Sequence, residues 1–135
     1  MYYTCDERNK IEVPLPFKRY ITPLFMGDDD KILQTDFSVH ITEWEPGCEI
    51  DCHSHPSGME AMYCMSGEGI AMVDKKEYPF IPGSMIVAPP GIEHMIKNTG
   101  KEMLVVFCVF SPPVTAEALK ERAFSASLPN NPANT

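Results

Sequence analysis

Residues 47–67 read GCEIDCHSHPSGMEAMYCMSG and residues 83–98 read GSMIVAPPGIEHMIKN. Together they hold three of the chain's four histidines, in the spacing Gly47-x5-His53-x-His55-x4-Glu60-x6-Gly67 followed by Gly83-x5-Pro89-x-Gly91-x2-His94-x3-Asn98. In an extended chain side chains alternate between faces, so His53 and His55 point one way while Cys52 and Ser54 point the other. The turn Pro56-Ser57-Gly58 breaks that parity and lets Glu60 arrive from a neighbouring strand. The Pro89-Pro90-Gly91 turn brings His94 from another direction. Three imidazoles and one carboxylate on a common face are the donors a divalent transition metal takes.

Outward from these stretches, residues 36–112 break into short β-like runs separated by Gly, Pro and Asp clusters. The expected strands are 37–44, 59–65, 69–73, 77–80, 84–88, 94–98 and 103–110, an all-β pattern with no βαβ unit. Residues 1–35 form an N-terminal arm with prolines at 14, 16 and 23 and an acidic loop, Gly27 to Asp30. Its apolar stretch 20–26 is expected to add an edge strand to this barrel or to a partner's. Residues 113–135 are expected to give a short helix and a frayed tail. Thr115 suits the helix cap, Glu117 the first turn, and Lys120 and Arg122 the last turns.

The two motifs resemble, position by position, the pair that defines the cupin superfamily, G-x5-H-x-H-x3-4-E-x6-G and G-x5-P-x-G-x2-H-x3-N, and every fixed position is filled. Fifteen residues, Glu68 to Pro82, separate them, as in small members of the family. The resemblance covers residues 36–112. It implies a single-domain jelly-roll β-barrel (a double-stranded β-helix) with one divalent metal, Fe, Mn, Ni, Zn, Co or Cu, bound inside by His53, His55, Glu60 and His94. Gly47, Gly67, Gly83 and Gly91 stand where tight turns need permissive backbone.

Three neutral imidazoles and one carboxylate leave one or two coordination positions open on such an ion. The expected function is therefore an enzyme that binds and activates a small oxygenated organic molecule. It would act as a dioxygenase, or as a decarboxylase, lyase or isomerase using Lewis-acid polarisation. A non-catalytic module that binds or senses a small ligand is the alternative. The catalytic residues beyond the metal ligands are not legible.

Composition narrows the partners. The formal charge is −8 with three arginines, Arg8, Arg19 and Arg122, so no nucleic-acid partner is expected. No apolar run reaches the roughly 18 residues that span a bilayer, and residues 1–10 lack a secretory apolar region. No membrane partner and a cytoplasmic location are the expectations, with a homodimer as the expected assembly. Five cysteines at irregular spacing, Cys5, Cys48, Cys52, Cys64 and Cys108, read as reduced thiols. Residues 36–112 hold 4 lysines and no arginine against 11 carboxylates, so the barrel itself offers no guanidinium fork. The metal is expected to anchor a chelating substrate, with Arg19 the only arginine able to reach the mouth.

Several residues have both a plain and a functional reading. By alternation from Glu60, Met62 and Cys64 should face inward and line the pocket. Met59, Met72, Met85 and Met95 read as core filling. His40 has no partner spacing and reads as a surface or locally bonded histidine. Cys48 and Cys52 read as inert thiols, Tyr63 should face out, Glu93 should lie at a loop rim, and Lys75-Lys76 should form a solvated hairpin tip.

Overall fold

A computed structural model describes residues 1–29 and 34–128. Asp30 of the acidic loop and the tail beyond Leu128 lie outside the described residues. The strands are β1 (Ile11–Val13), β2 (Arg19–Phe25), β3 (Ser38–Trp44), β4 (Met59–Ser66), β5 (Gly69–Val73), β6 (Lys76–Phe80), β7 (Met85–Ala88), β8 (His94–Asn98) and β9 (Leu104–Ser111). A 3₁₀ turn (Glu7–Asn9) precedes them and one helix, α1 (Ala116–Ala126), follows. Every expected strand is present, with ends within about one residue of those read from turn chemistry.

Two antiparallel sheets form a jelly-roll. One runs β1-β2-β3-β9-β4-β7 and the other β6-β5-β8. Their inner faces enclose one apolar core, with Met62, Cys64, Leu104 and Val106 from the first sheet against Ala71, Phe80 and Ile96 from the second. The strand period dictates this. In β9, Leu104, Val106, Cys108 and Phe110 are buried while the residues between them are half-buried. All four motif glycines adopt positive φ, between +80° and +93°, a backbone region that residues with a Cβ rarely enter.

The arm builds part of this chain's own sheet. β2 pairs with β3, Tyr20 opposite Glu43 and Ile21 opposite Thr42, and its register shifts between Pro23 and Phe25 because proline cannot donate to the ladder. Val13, Ile21 and Met26 from the arm meet Leu119 and Ala123 of α1 in a second apolar cluster. Thr115 caps the helix, its Oγ1 accepting from Ala118 N at 3.0 Å. The arm and the helix therefore close one end of the barrel.

Two readings are corrected. Met59 and Met85 are 44% and 59% exposed rather than core filling, because they stand on the outward parity of β4 and β7. His40 is buried, not superficial, because β3 lies between β2 and β9 and its even-numbered residues face the barrel interior. Asp74 and Lys75 have positive φ and form the exposed β5–β6 hairpin tip. All five cysteines are free, and among the described residues no helix is long and apolar enough to cross a membrane.

Candidate metal centre

His53 and His55 lie on an extended segment before β4, where His53 bridges the first residue of β8. His53 N donates to His94 O at 3.1 Å, and His94 N donates to His53 O at 2.8 Å. That pairing sets the two imidazoles side by side, with ring centroids 4.3 Å apart. His55 O accepts from Gly91 N at 2.8 Å, which fixes the second imidazole against the Pro-Pro-Gly turn. Glu60 enters from β4, buried opposite Ala88 of β7 and Phe110 of β9. Donor atoms of His53, His55, Glu60 and His94 all lie within 4.8 Å of one another.

The hydrogen bonds around the cluster suit a metal ion. His53 Nδ1 donates to Asp51 O at 2.7 Å, and His94 Nδ1 donates to Ile92 O at 3.1 Å. A carbonyl only accepts, so Nδ1 carries the proton and Nε2 presents its lone pair inward. His53 Nε2 is buried and has no hydrogen-bond partner among the described residues. The Nε2 atoms of His55 and His94 approach Glu60 Oε2 at 3.2 and 3.1 Å. A lone pair facing a carboxylate oxygen at that distance needs a proton or a cation to offset the repulsion. The residues present therefore fit a divalent transition metal in number, donor type and orientation.

Electrostatics keep the donors in the required state. Burial and the charges of Arg122 and His94 push His53 down to about 4, so it is neutral at pH 7. Burial works to raise the Glu60 carboxyl, but the contacts from His55 and His94, with the fields of His40 and Arg122, hold it below the ordinary carboxylate range. Burial, with Arg122 and Arg19 nearby, pushes His40 down to about 4 against the pull of Glu60. His40 stacks on Phe110 with centroids 5.9 Å apart, and its Nδ1 is buried without a partner among the described residues.

Beside the cluster is a cavity of about 20 Å³, room for roughly one water. Its lining includes Met62, as alternation from Glu60 requires, together with His40, Arg19 and Arg122. Cys64 is not part of that lining. It lies one step further along β4 in the apolar core, its Sγ 3.8 Å from Ser66 O. Tyr63 and Glu93 are exposed, Cys52 is exposed and Cys48 is half-buried.

The expectation that only Arg19 reaches the mouth is corrected by Arg122. Packing of Leu119 and Ala123 turns this helical residue inward, with its guanidinium 5.6 Å from the centroid of the Phe110 ring. An outer recess of about 230 Å³ is lined by Arg19, Asp51, His53, Ser54, Arg122, Ser125 and Ala126. The barrel supplies no guanidinium, but the two arms supply two, because the tertiary fold lays both arms over the same end. A single inward-facing arginine on a short helix carries no sequence signal of its own.

Comparison with known proteins agrees with this architecture. The cupin domain model matches residues 27–110. An L-ectoine synthase from Vibrio atlanticus is 35% identical over 113 residues, covering 83% of this chain and 85% of that protein. Another, from Vibrio campbellii, is 38% identical over 80 residues, 58% of this chain, and the match spans 62% of that relative's length. The crystal structure of ectoine synthase from P. lautus shares the fold, with a TM-score of 0.69 and 24% identity over 87% of this chain and 78% of that one. With both motifs complete, the jelly-roll observed and the family model spanning the barrel, the chain belongs to the cupin domain family.

Proposed function

We propose that this protein is a metal-dependent cupin enzyme that closes a small carboxylate-bearing ring, the activity for which its L-ectoine synthase relatives are named. His53, His55, Glu60 and His94 would hold one divalent transition metal, and Fe, Mn, Ni, Zn, Co and Cu all accept such donors. The observation that carries the proposal is the convergence of four donor atoms within 4.8 Å, with the Nε2 lone pairs of His53 and His94 turned inward.

Ectoine is a six-membered cyclic amidine with one carboxylate, and adding water across the amidine gives a monoacetylated 2,4-diaminobutyrate. In the forward direction the amine nitrogen bonds to the acyl carbon, the carbon–oxygen bond breaks, and one water leaves. No electrons are exchanged, so oxygen is not consumed. The metal, when bound, supplies Lewis-acid polarisation of the acyl oxygen. His40, neutral and lining the inner cavity, would take the first proton released as nitrogen attacks, by way of the single water that cavity has room for. The amine nitrogen gives up two protons as the C=N bond forms: the first passes from His40 to the acyl oxygen, the second follows to the resulting hydroxyl, and the oxygen leaves as water. The inner cavity, walled by Trp44, Ile50, Met62 and Ile96, has room for about one water and not for the substrate, which the outer recess of about 230 Å³ beside His53 would take.

The test loads the protein with each metal in turn, adds monoacetylated 2,4-diaminobutyrate, and follows ring closure by proton NMR beside an oxygen electrode. Ectoine formed without oxygen uptake is the expected result. No product with any metal overturns the ring-closing reading. Oxygen uptake would support the dioxygenase class, and a ligand that binds and returns unchanged would support a sensing module.

A further inference from the structure

We infer that Arg19 and Arg122 form an anion clamp at the mouth of the metal-site recess, built to take the carboxylate of a small organic acid. The identity of that acid, and nothing else, rests on the ring-closing reading above.

Arg19 lies on β2 and is 2% exposed. A buried guanidinium is costly unless it is paired. Yet Arg19 shows one hydrogen bond, from NH1 to Phe17 O at 2.8 Å, and no ion pair among the described residues. Arg122 arrives from α1, half-buried over the Phe110 ring, and among the described residues it has no carboxylate within 4.0 Å. Burial, and then the charge of Arg122, push Arg19 down to about 10. Two like charges lining one recess, with no ion pair to either among the described residues, describe a site that lacks its anion.

The surroundings point the same way. Arg19, Arg122 and His53 are shared by the inner cavity and the outer recess, so they stand between solvent and the metal cluster. Asp51 and Glu60 draw on Arg19 through their charge, but neither forms an ion pair with it among the described residues. Glu60 contacts His55 and His94, and Asp51 lines the recess without forming an ion pair among the described residues. Planar forks from two directions match a carboxylate's two oxygens, and a carboxylate held there leaves the rest of the molecule beside His53 and Glu60. The clamp replaces the expectation that the metal alone anchors an anionic substrate.

The metal-loaded protein, labelled with ¹⁵N, is titrated with sodium acetate while the side-chain Nε–H signals of its three arginines are followed. Arg8, already paired with Asp6 on the surface, is the internal control. Shifts at Arg19 and Arg122, none at Arg8, and loss of the Arg19 response in Arg122→Gln are expected. No response at either recess arginine, or an equal response at Arg8, overturns the clamp. Kinetics give a second reading. Arg122→Gln should raise KM for the carboxylate substrate about tenfold or more while leaving its carboxamide analogue unaffected, and Arg122→Lys should recover part of the loss. Equal effects on carboxylate and carboxamide also overturn it. An acetate response without turnover leaves the clamp standing and sinks ring closure. Turnover without discrimination by Arg122→Gln does the reverse.

Discussion

Glu60 is the carboxylate on which two imidazoles converge, each about 3 Å from the same oxygen. Glu60→Gln keeps the shape but removes the charge, and metal content by elemental analysis is expected to fall roughly 10–100-fold. The far-ultraviolet circular dichroism spectrum should stay as it is. Unchanged metal content in this variant would refute the ligand assignment. His40 sets a pH dependence. Its folded value of about 4 lies below the ordinary 6.5, so the unfolded chain binds a proton that the folded chain refuses as pH falls. Stability is therefore lost between pH 6.5 and about 4, by up to about 3 kcal/mol. Thermal melts of wild type and His40→Asn across that window should show the gap shifting in favour of asparagine toward acid, and a constant gap would count against the burial argument. The proposed set of four donors was legible because metal chemistry demands particular residue types at particular spacings. His40 was not, because the apolar Ile41 is buried on the opposite face of β3 from His40 and Thr42, so alternation alone does not mark the polar face as the inward one.

Elements were read well wherever a turn residue is compulsory. A Cβ on Gly67, at φ +84°, would come within 2.5 Å of Met103 O. Gly67→Ala combines that clash with a left-handed backbone and should cost more than about 2 kcal/mol in urea denaturation. A loss under half that would show the turn able to relax. Helix α1 was legible from its cap, and Thr115→Ala should cost about 1 kcal/mol. Leu119→Ala should cost about 2–5 kcal/mol, because Leu119 packs on Val13, Ile21 and Met26. If Leu119→Ala also raises KM, the helix positions Arg122; unchanged KM would separate the two roles. Strand β1 escaped the sequence reading, since three residues, Ile11–Val13, carry too short an alternation to register.

At the scale of the whole molecule, the outer face of β4 and β7 leaves Met59, Tyr63, Met65, Met85 and Val87 between 40% and 59% exposed. Such a contiguous apolar face on a sheet edge favours association. A homodimer through this face is the expected assembly, and light scattering should return twice the 15.1 kDa chain mass. Val87→Lys should return a monomer, and a monomeric wild type would remove the idea. The sequence by itself determined the barrel, its turns and the four-residue donor set. Each rests on local rules, the two-residue period of strands, positive φ at glycine, and donor chemistry at fixed spacing, that act within one or two neighbouring elements. Only the tertiary structure decided that Arg19 and Arg122, 103 positions apart in the chain, meet at one mouth, and that His40 is buried beside Glu60. Those juxtapositions come from packing the arm and the helix over one end of the barrel, where burial of apolar side chains fixes which charges must share a cavity.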